Sequence, residues 1–105
     1  MRNKNQVPLE SSLEALDDLI HSKIRLAIMT ILMTAEKAQF AYLKKALKTT
    51  DGNLSVHITK LESAGYISVE KRFVHKRPQT TCKITAKGRS AFEKYIEVLE
   101  TIIGR

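Results

Sequence analysis

One cysteine, Cys82, is all that this chain of 105 residues carries, so no disulfide can form within it, and a reducing compartment is consistent with that. The three histidines, His21, His57 and His75, stand far apart from one another and from Cys82, without the short spacings that bring two ligands to one metal ion. No metal and no cofactor are expected. Only four glycines are present, none of them in a phosphate-cradling run. Ser63 and Ser90 have no visible base partner, so a nucleophile is not expected at either. An enzyme would require convergent titratable groups, and the chain offers no such constellation. The first apolar run of any length, Ile24 to Met33, is broken by Arg25 and Thr30 and is too short to span a bilayer, and the N-terminus has no signal-peptide core. The expectation is a soluble, cytoplasmic protein with no membrane partner.

Acids are also scarce. Eleven Asp and Glu stand against eighteen Lys and Arg, a formal charge of +7 and a pI near 9.7, which points to an acidic partner such as nucleic acid or an anionic membrane. The distribution is sharper than the sum. Between Tyr66 and Arg89 lie seven basic residues and a single acid, Glu70, whereas Leu9 to His21 contains Glu10, Glu14, Asp17 and Asp18 and no Lys or Arg. The length suits one domain with one core. We expect residues 1–8, MRNKNQVP, to be a flexible arm and residues 9–105 a single folded domain.

The organising stretch is Thr50 to Gly65, TDGNLSVHITKLESAG. Leu54, Ile58 and Leu61 recur at i, i+4 and i+7 and form a narrow apolar stripe that must be buried. The other side carries Asn53, Ser55, Val56, Thr59, Lys60 and Ser63, mostly small or hydrogen-bonding residues that suit the approach of a polyanion. Thr50 can cap the first turn, and Gly65 can take the left-handed conformation that ends a helix. Upstream, Leu9 to Ile20 has helical spacing, Ser22 to Ala35 is apolar almost all round and reads as the central core helix, and Ala38 to Lys48 presents Phe40, Leu43, Ala46 and Leu47 as one stripe with lysines outside. Helix, short turn, short helix with one polar face is the helix-turn-helix pattern. After Gly65 the period becomes two: Ile67, Val69, Lys71 and Phe73 alternate with Ser68, Glu70, Arg72 and Val74. A basic turn, His75 to Gln79, and a β-branched run, Thr80 to Ile84, complete a hairpin. Thr85 caps a last helix, Ala86 to Ile103, with Phe92, Ile96, Leu99 and Ile103 in one apolar stripe and Ala91, Tyr95, Val98 and Ile102 in an adjacent one; one stripe can pack on the domain and the other needs a partner. The fold class expected is mainly α with a β-hairpin wing, a winged helix-turn-helix.

The chain resembles the small winged-helix transcriptional regulators of bacteria and archaea related to the multiple-antibiotic-resistance (MarR) family. The likeness rests on SKIRLAIMTIL, on TTDGNLSVHITKLESAGYI and on KRPQTTCKITAKGRSAFEKY, and spans roughly Leu16 to Ile103. The resemblance implies a homodimer that binds a pseudo-palindromic operator in double-stranded DNA. It places Asn53, Ser55, Val56, Thr59 and Lys60 in the major groove or on its flanking phosphates, and Arg72, His75, Lys76 and Arg77 on the wing, near the backbone and adjacent minor groove. Full-length members extend further beyond the wing than the single helix seen here and build their ligand pocket there, so no particular small-molecule effector is implied. Relatives resembling arsenic repressors sense metals with paired cysteines, and this chain has one.

Chemistry supports a division of labour within those residues. Lys76 and Arg77 suit phosphates, which are common to every sequence; Asn53 can pair with adenine, Lys60 can donate to guanine, Val56 can meet a thymine methyl, and Ser55 and Thr59 suit either. The rival expectation is a protein-interaction adaptor on the same fold. An adaptor would place apolar anchors on the outer face of the second helix, where this chain has polar groups.

Overall fold

In the computed structural model, which describes residues 9–104, the chain runs α1 (Leu9–Ala15), α2 (Lys23–Ala35), β1 (Lys37–Gln39), α3 (Phe40–Leu47), α4 (Asp51–Ser63), β2 (Ile67–Val74), β3 (Arg77–Ile84) and α5 (Ala86–Ile102). The flexible arm expected over residues 1–8 lies outside the described residues. Helix α3, the turn at Lys48–Thr50, helix α4 and the β2–β3 hairpin together form a winged helix-turn-helix.

The core gathers one face of every major element: Ile28, Met29 and Leu32 of α2, Leu43 of α3, Leu54, Ile58 and Leu61 of α4, Ile67, Cys82 and Ile84 of the hairpin, and Phe92, Tyr95 and Val98 of α5. The stripe expected on α4 is therefore its buried face, and each of its side chains contributes about 1.5–3 kcal/mol of burial. On α5 the buried row takes Phe92 from one expected stripe and Tyr95 and Val98 from the other. Ile96, Leu99 and Ile102 are left half-covered, and Ile103, just beyond the helix, is exposed.

Three elements differ from the pattern read in the sequence. The first helix ends at Ala15 rather than Ile20, because the Asp17 carboxylate accepts from the amides of Leu19 (2.9 Å) and Ile20 (3.3 Å) and turns the chain locally. Leu16 and Ile20 still reach the core, delivered by a turn instead of a helix. Lys37–Gln39, expected to be connection and helix start, is a third strand: Ala38 pairs with Cys82 and Gln39 with Thr81, so β3 lies between β1 and β2. Glu36, at φ 67°, makes the bend from α2 into that strand. The basic turn is also tighter than HKRPQ suggests. Only His75 and Lys76 form it, at φ 53° and 64°, while Arg77, Pro78 and Gln79 are already in β3 opposite Val74, Phe73 and Arg72. Positive φ at both central residues is the geometry that matches the twist of a two-residue hairpin. Pro78 is tolerated in β3 because β1 pairs only with Thr81–Lys83, so the strand is still an edge on that side at position 78.

The helices before and after the hairpin are both capped at their N-termini. The Thr50 hydroxyl accepts from the Asn53 amide at 3.1 Å, and that of Thr85 from the Gly88 amide at 3.0 Å. At the other end of α4, Gly65 sits at φ 80°, its amide donates to Glu62, and the Tyr66 amide reaches back to the Leu61 carbonyl at 3.0 Å. The turn that follows α4 thereby sets the direction in which the wing leaves.

Candidate nucleic-acid interface

Every α4 residue singled out in the sequence, Asn53, Ser55, Val56, Thr59 and Lys60, is exposed, with Val56 53% accessible. At about 100° per residue they fan over one side of the helix, opposite the buried stripe, with Val56 at the crest, Thr59 and Lys60 flanking it, and Ser55 and Asn53 on the outer shoulders. Ser55 and Thr59 open onto a hollow between α4 and the wing, whose far wall is Lys71 and Thr80 and whose rim includes Glu62. Lys71 and Thr80 were not picked out from the sequence as site residues. Alternation along β2 hints at Lys71, since it continues the face of Ile67 and Val69, but only the packing of the hairpin against α4 brings it to this hollow.

Asn53 is held in place. Its Nδ2 donates to the Thr49 hydroxyl at 2.7 Å, across the first turn of α4, and pairing with a base requires that bond to be exchanged. Asp51, beside it, pairs with Lys44 of α3 at 3.0 Å, an exposed ion pair that is worth little by itself, and it lines the same hollow as Ser55 and Thr59. Lys45 and Lys48 extend the positive surface along α3 and its αL C-cap.

On the wing, the structure separates Arg72, His75, Lys76 and Arg77 into two groups. His75 and Lys76 form the tip, while Arg72 and Arg77 lie on the strands, on the face away from Lys71 and Phe73. All four are exposed. A lysine at positive φ costs about 1 kcal/mol that a glycine would avoid, so the tip carries a cation in place of the least strained residue.

The helix that carries the polar face is fixed from behind. Arg25 of α2 donates from Nε to the Leu19 carbonyl at 2.5 Å and from Nη1 to His57 Nδ1 at 2.8 Å, joining the N-terminal turn to α4. The partner of His57 is thus a side chain of α2 rather than backbone. Burial first, then the charges of Arg25 and Lys60, push the His57 pKa below its ordinary 6.5. The imidazole is therefore neutral at pH 7, as the acceptor role of Nδ1 toward a guanidinium requires. In the unfolded chain His57 takes up a proton at a higher pH than in the folded one. Stability linked to it is complete above about pH 6.5 and is lost as pH falls through that value toward the lower folded pKa. Thermal melts of the wild type and of His57→Asn, which keeps an acceptor but does not titrate, are expected to show a steeper loss of Tm for the wild type between pH 7.5 and 5.5. Parallel curves would remove His57 as the cause.

Tyr66, at the start of the wing, donates its hydroxyl to Asp17 Oδ2, and burial together with that bond and the carboxylate charge raises its pKa to about 12. Lys87 lies over its ring, 5.9 Å from the centroid. Tyr66 thus ties the acidic N-terminal segment to the base of the wing. Cys82 is fully buried, its thiol pushed up to about 11 by burial and by Glu62, which keeps it protonated and inert. His21 bonds Tyr95 through Nδ1 at 2.7 Å, so His21, His57, His75 and Cys82 each occupy a different environment. Among the described residues no helix is long and apolar enough to cross a membrane.

The family described as winged helix DNA-binding domain matches residues 24–103, from α2 through α5. An uncharacterized protein of Methanocaldococcus jannaschii is 42% identical over 83 residues, 78% of this chain and 90% of that protein. The solved structure of a transcriptional regulator homologue from Pyrococcus horikoshii OT3 is similar at a TM-score of 0.81 and 30% identity, covering 91% of this chain and 93% of that one. Reduced AbfR bound to DNA shares the fold at a TM-score of 0.66 and 18% identity, over 91% of this chain and 64% of that one.

Proposed function

The chain belongs to the winged helix DNA-binding domain family, a family of transcription regulators rather than enzymes, and on that premise we propose that it acts as a MarR-like homodimer on a pseudo-palindromic operator in the cytoplasm. Helix α4 enters the major groove and the wing follows the backbone into the adjacent minor groove. The observation that carries this reading is the pairing of an exposed, polar α4 face, apolar only at Val56, with the most basic stretch of the chain immediately beside it. An adaptor surface would need apolar anchors at that place.

In this reading Asn53, Val56 and Lys60 meet base edges, Ser55 and Thr59 meet bases or phosphates, and Arg72, His75, Lys76 and Arg77 neutralise phosphates. The dimer is supported by a separate surface. Helix α1 packs on α5, and at that end Leu9, Leu13 and Ile103 are 58%, 51% and 60% exposed beside half-covered Leu99 and Ile102. Joining two copies there would cover these side chains and set two α4 helices about 34 Å apart, one turn of DNA. Glu10 and Glu14 lie at the same end, on α1.

Titration of duplex DNA at rising salt, with sedimentation of the free protein, tests the proposal. The expected result is a dimer whose affinity falls steeply with salt, because each neutralised phosphate releases counterions. No binding at low salt, or binding indifferent to salt, would favour the adaptor.

A further inference from the structure

Phe73 is 76% exposed, more than any other large hydrophobic residue among those described, and it stands in the middle of the basic wing. Its cross-strand partner is Pro78, also exposed. The register makes the pair the outer end of one continuous face: Ile67 opposes Ile84, Val69 opposes Cys82, Lys71 opposes Thr80, and Phe73 opposes Pro78. The first two pairs lie against the core, and the third lines the hollow shared with Ser55 and Thr59 of α4. The fourth overhangs it. Strand rise places Phe73 about 7 Å beyond Lys71 and about 13 Å beyond Val69, past anything in its own domain that could cover the ring. From α4 outward, the surface therefore runs from polar groups, to a lysine, to an aromatic–proline pair.

Resting on the DNA-binding reading above, we infer that Phe73, backed by Pro78, is an apolar wedge that enters the minor groove beside the α4 site and partly unstacks a flexible base step. Three features fit this occupant. Phosphate-binding groups surround the pair, with Lys76 and the His75 imidazole at the tip and Arg72 and Arg77 on the opposite face, so phosphates can be held while the ring is driven inward. The two-residue turn keeps the wing to two strands whose axes lie about 4.8 Å apart, and with backbone and side chains added the ribbon is wider than a groove of about 6 Å, so it can enter only tip first and must open the groove further. Pro78 stiffens the strand directly behind the ring, and a wedge has to be stiff to unstack bases. Because pyrimidine–purine steps deform easily and A-tracts do not, such a wedge would read sequence without a base-edge hydrogen bond.

The test uses the full chain as wild type, Phe73→Ala and Phe73→Leu, and two duplexes of about three turns with equal composition. One carries repeated TpA and CpA steps, with 2-aminopurine at several of them; the other carries A-tracts. The wild type is expected to prefer the step-rich duplex and to raise the 2-aminopurine fluorescence. Phe73→Ala should bind that duplex about tenfold more weakly, lose both the preference and the fluorescence rise, and keep the same salt slope, since no charge is removed. Phe73→Leu, still apolar, should fall between them. Wild-type binding that Phe73→Ala leaves unchanged overturns the wedge alone. A change confined to the sedimentation of the free protein also overturns it, by assigning the ring to a protein contact. Wild-type protein that binds neither duplex at low salt overturns the DNA-binding reading and the wedge with it.

Discussion

Replacing Gly88 by alanine is expected to destabilise the protein by about 3 kcal/mol or more, although alanine is the better helix former by about 1 kcal/mol. Gly88 is buried in the first turn of α5, and a Cβ there would stand 2.0 Å from the Tyr66 carbonyl oxygen and 2.8 Å from its carbon. Those are backbone atoms and cannot rotate away. The same carbonyl accepts from the Thr85 amide at 3.1 Å, and the Thr85 hydroxyl donates to the Gly65 carbonyl at 2.6 Å. Relief of the clash must therefore separate α5 from the junction between α4 and β2. For a domain whose total stability is of the usual 5–15 kcal/mol, that is a large fraction, visible as a fall in Tm of more than about 10 °C. Gly52→Ala supplies the control. It also lies in a first helical turn, in α4, but nothing stands within 4 Å of its Cβ position, and the variant should be neutral or slightly more stable. Equal melting of Gly88→Ala and wild type would mean that α5 and the wing are not held as described.

The second large effect concerns affinity. Changing Arg72, Lys76 and Arg77 together to alanine is expected to weaken duplex binding by about two to three orders of magnitude at 0.1 M salt and to lower the salt slope by about 0.9 per lost phosphate contact. Operator and random DNA should lose alike, because phosphates carry no sequence. Asn53→Ala or Lys60→Ala should behave differently, costing the operator about 1–3 kcal/mol and random DNA less. All of these positions are exposed, so circular dichroism and melting should be close to wild type. If Asn53→Ala and Lys60→Ala lose both kinds of DNA equally, the two residues grip the backbone and the base contacts lie elsewhere on α4. Val56, on the crest, and Thr59, beside it, would be the next positions to change.

The sequence by itself determined the elements whose signals are local and redundant. Leu54, Ile58 and Leu61 can share a face only in a helix, and Thr50 and Gly65 satisfy the orphan groups at its two ends, so α4 and its polar side were legible without any knowledge of the rest. The same holds for α2, for the α5 cap at Thr85 and for the alternation that marks the wing. What the tertiary structure decided were the matters that depend on partners distant in sequence. Lys37–Gln39 is too short to show a period and is a strand only because β3 offers it an edge. The first helix stops at Ala15 because Asp17 takes local amides and Tyr66 holds its other oxygen from 49 residues away. His57 finds Arg25, and Lys71 and Thr80 join the candidate interface, only once the hairpin has folded back beside α4. The exposure of Phe73 was equally hidden, since its place in the alternation matches that of buried Ile67. Period-two spacing assigns a residue to a face of the sheet, but the length of the body behind that face decides whether the residue is covered.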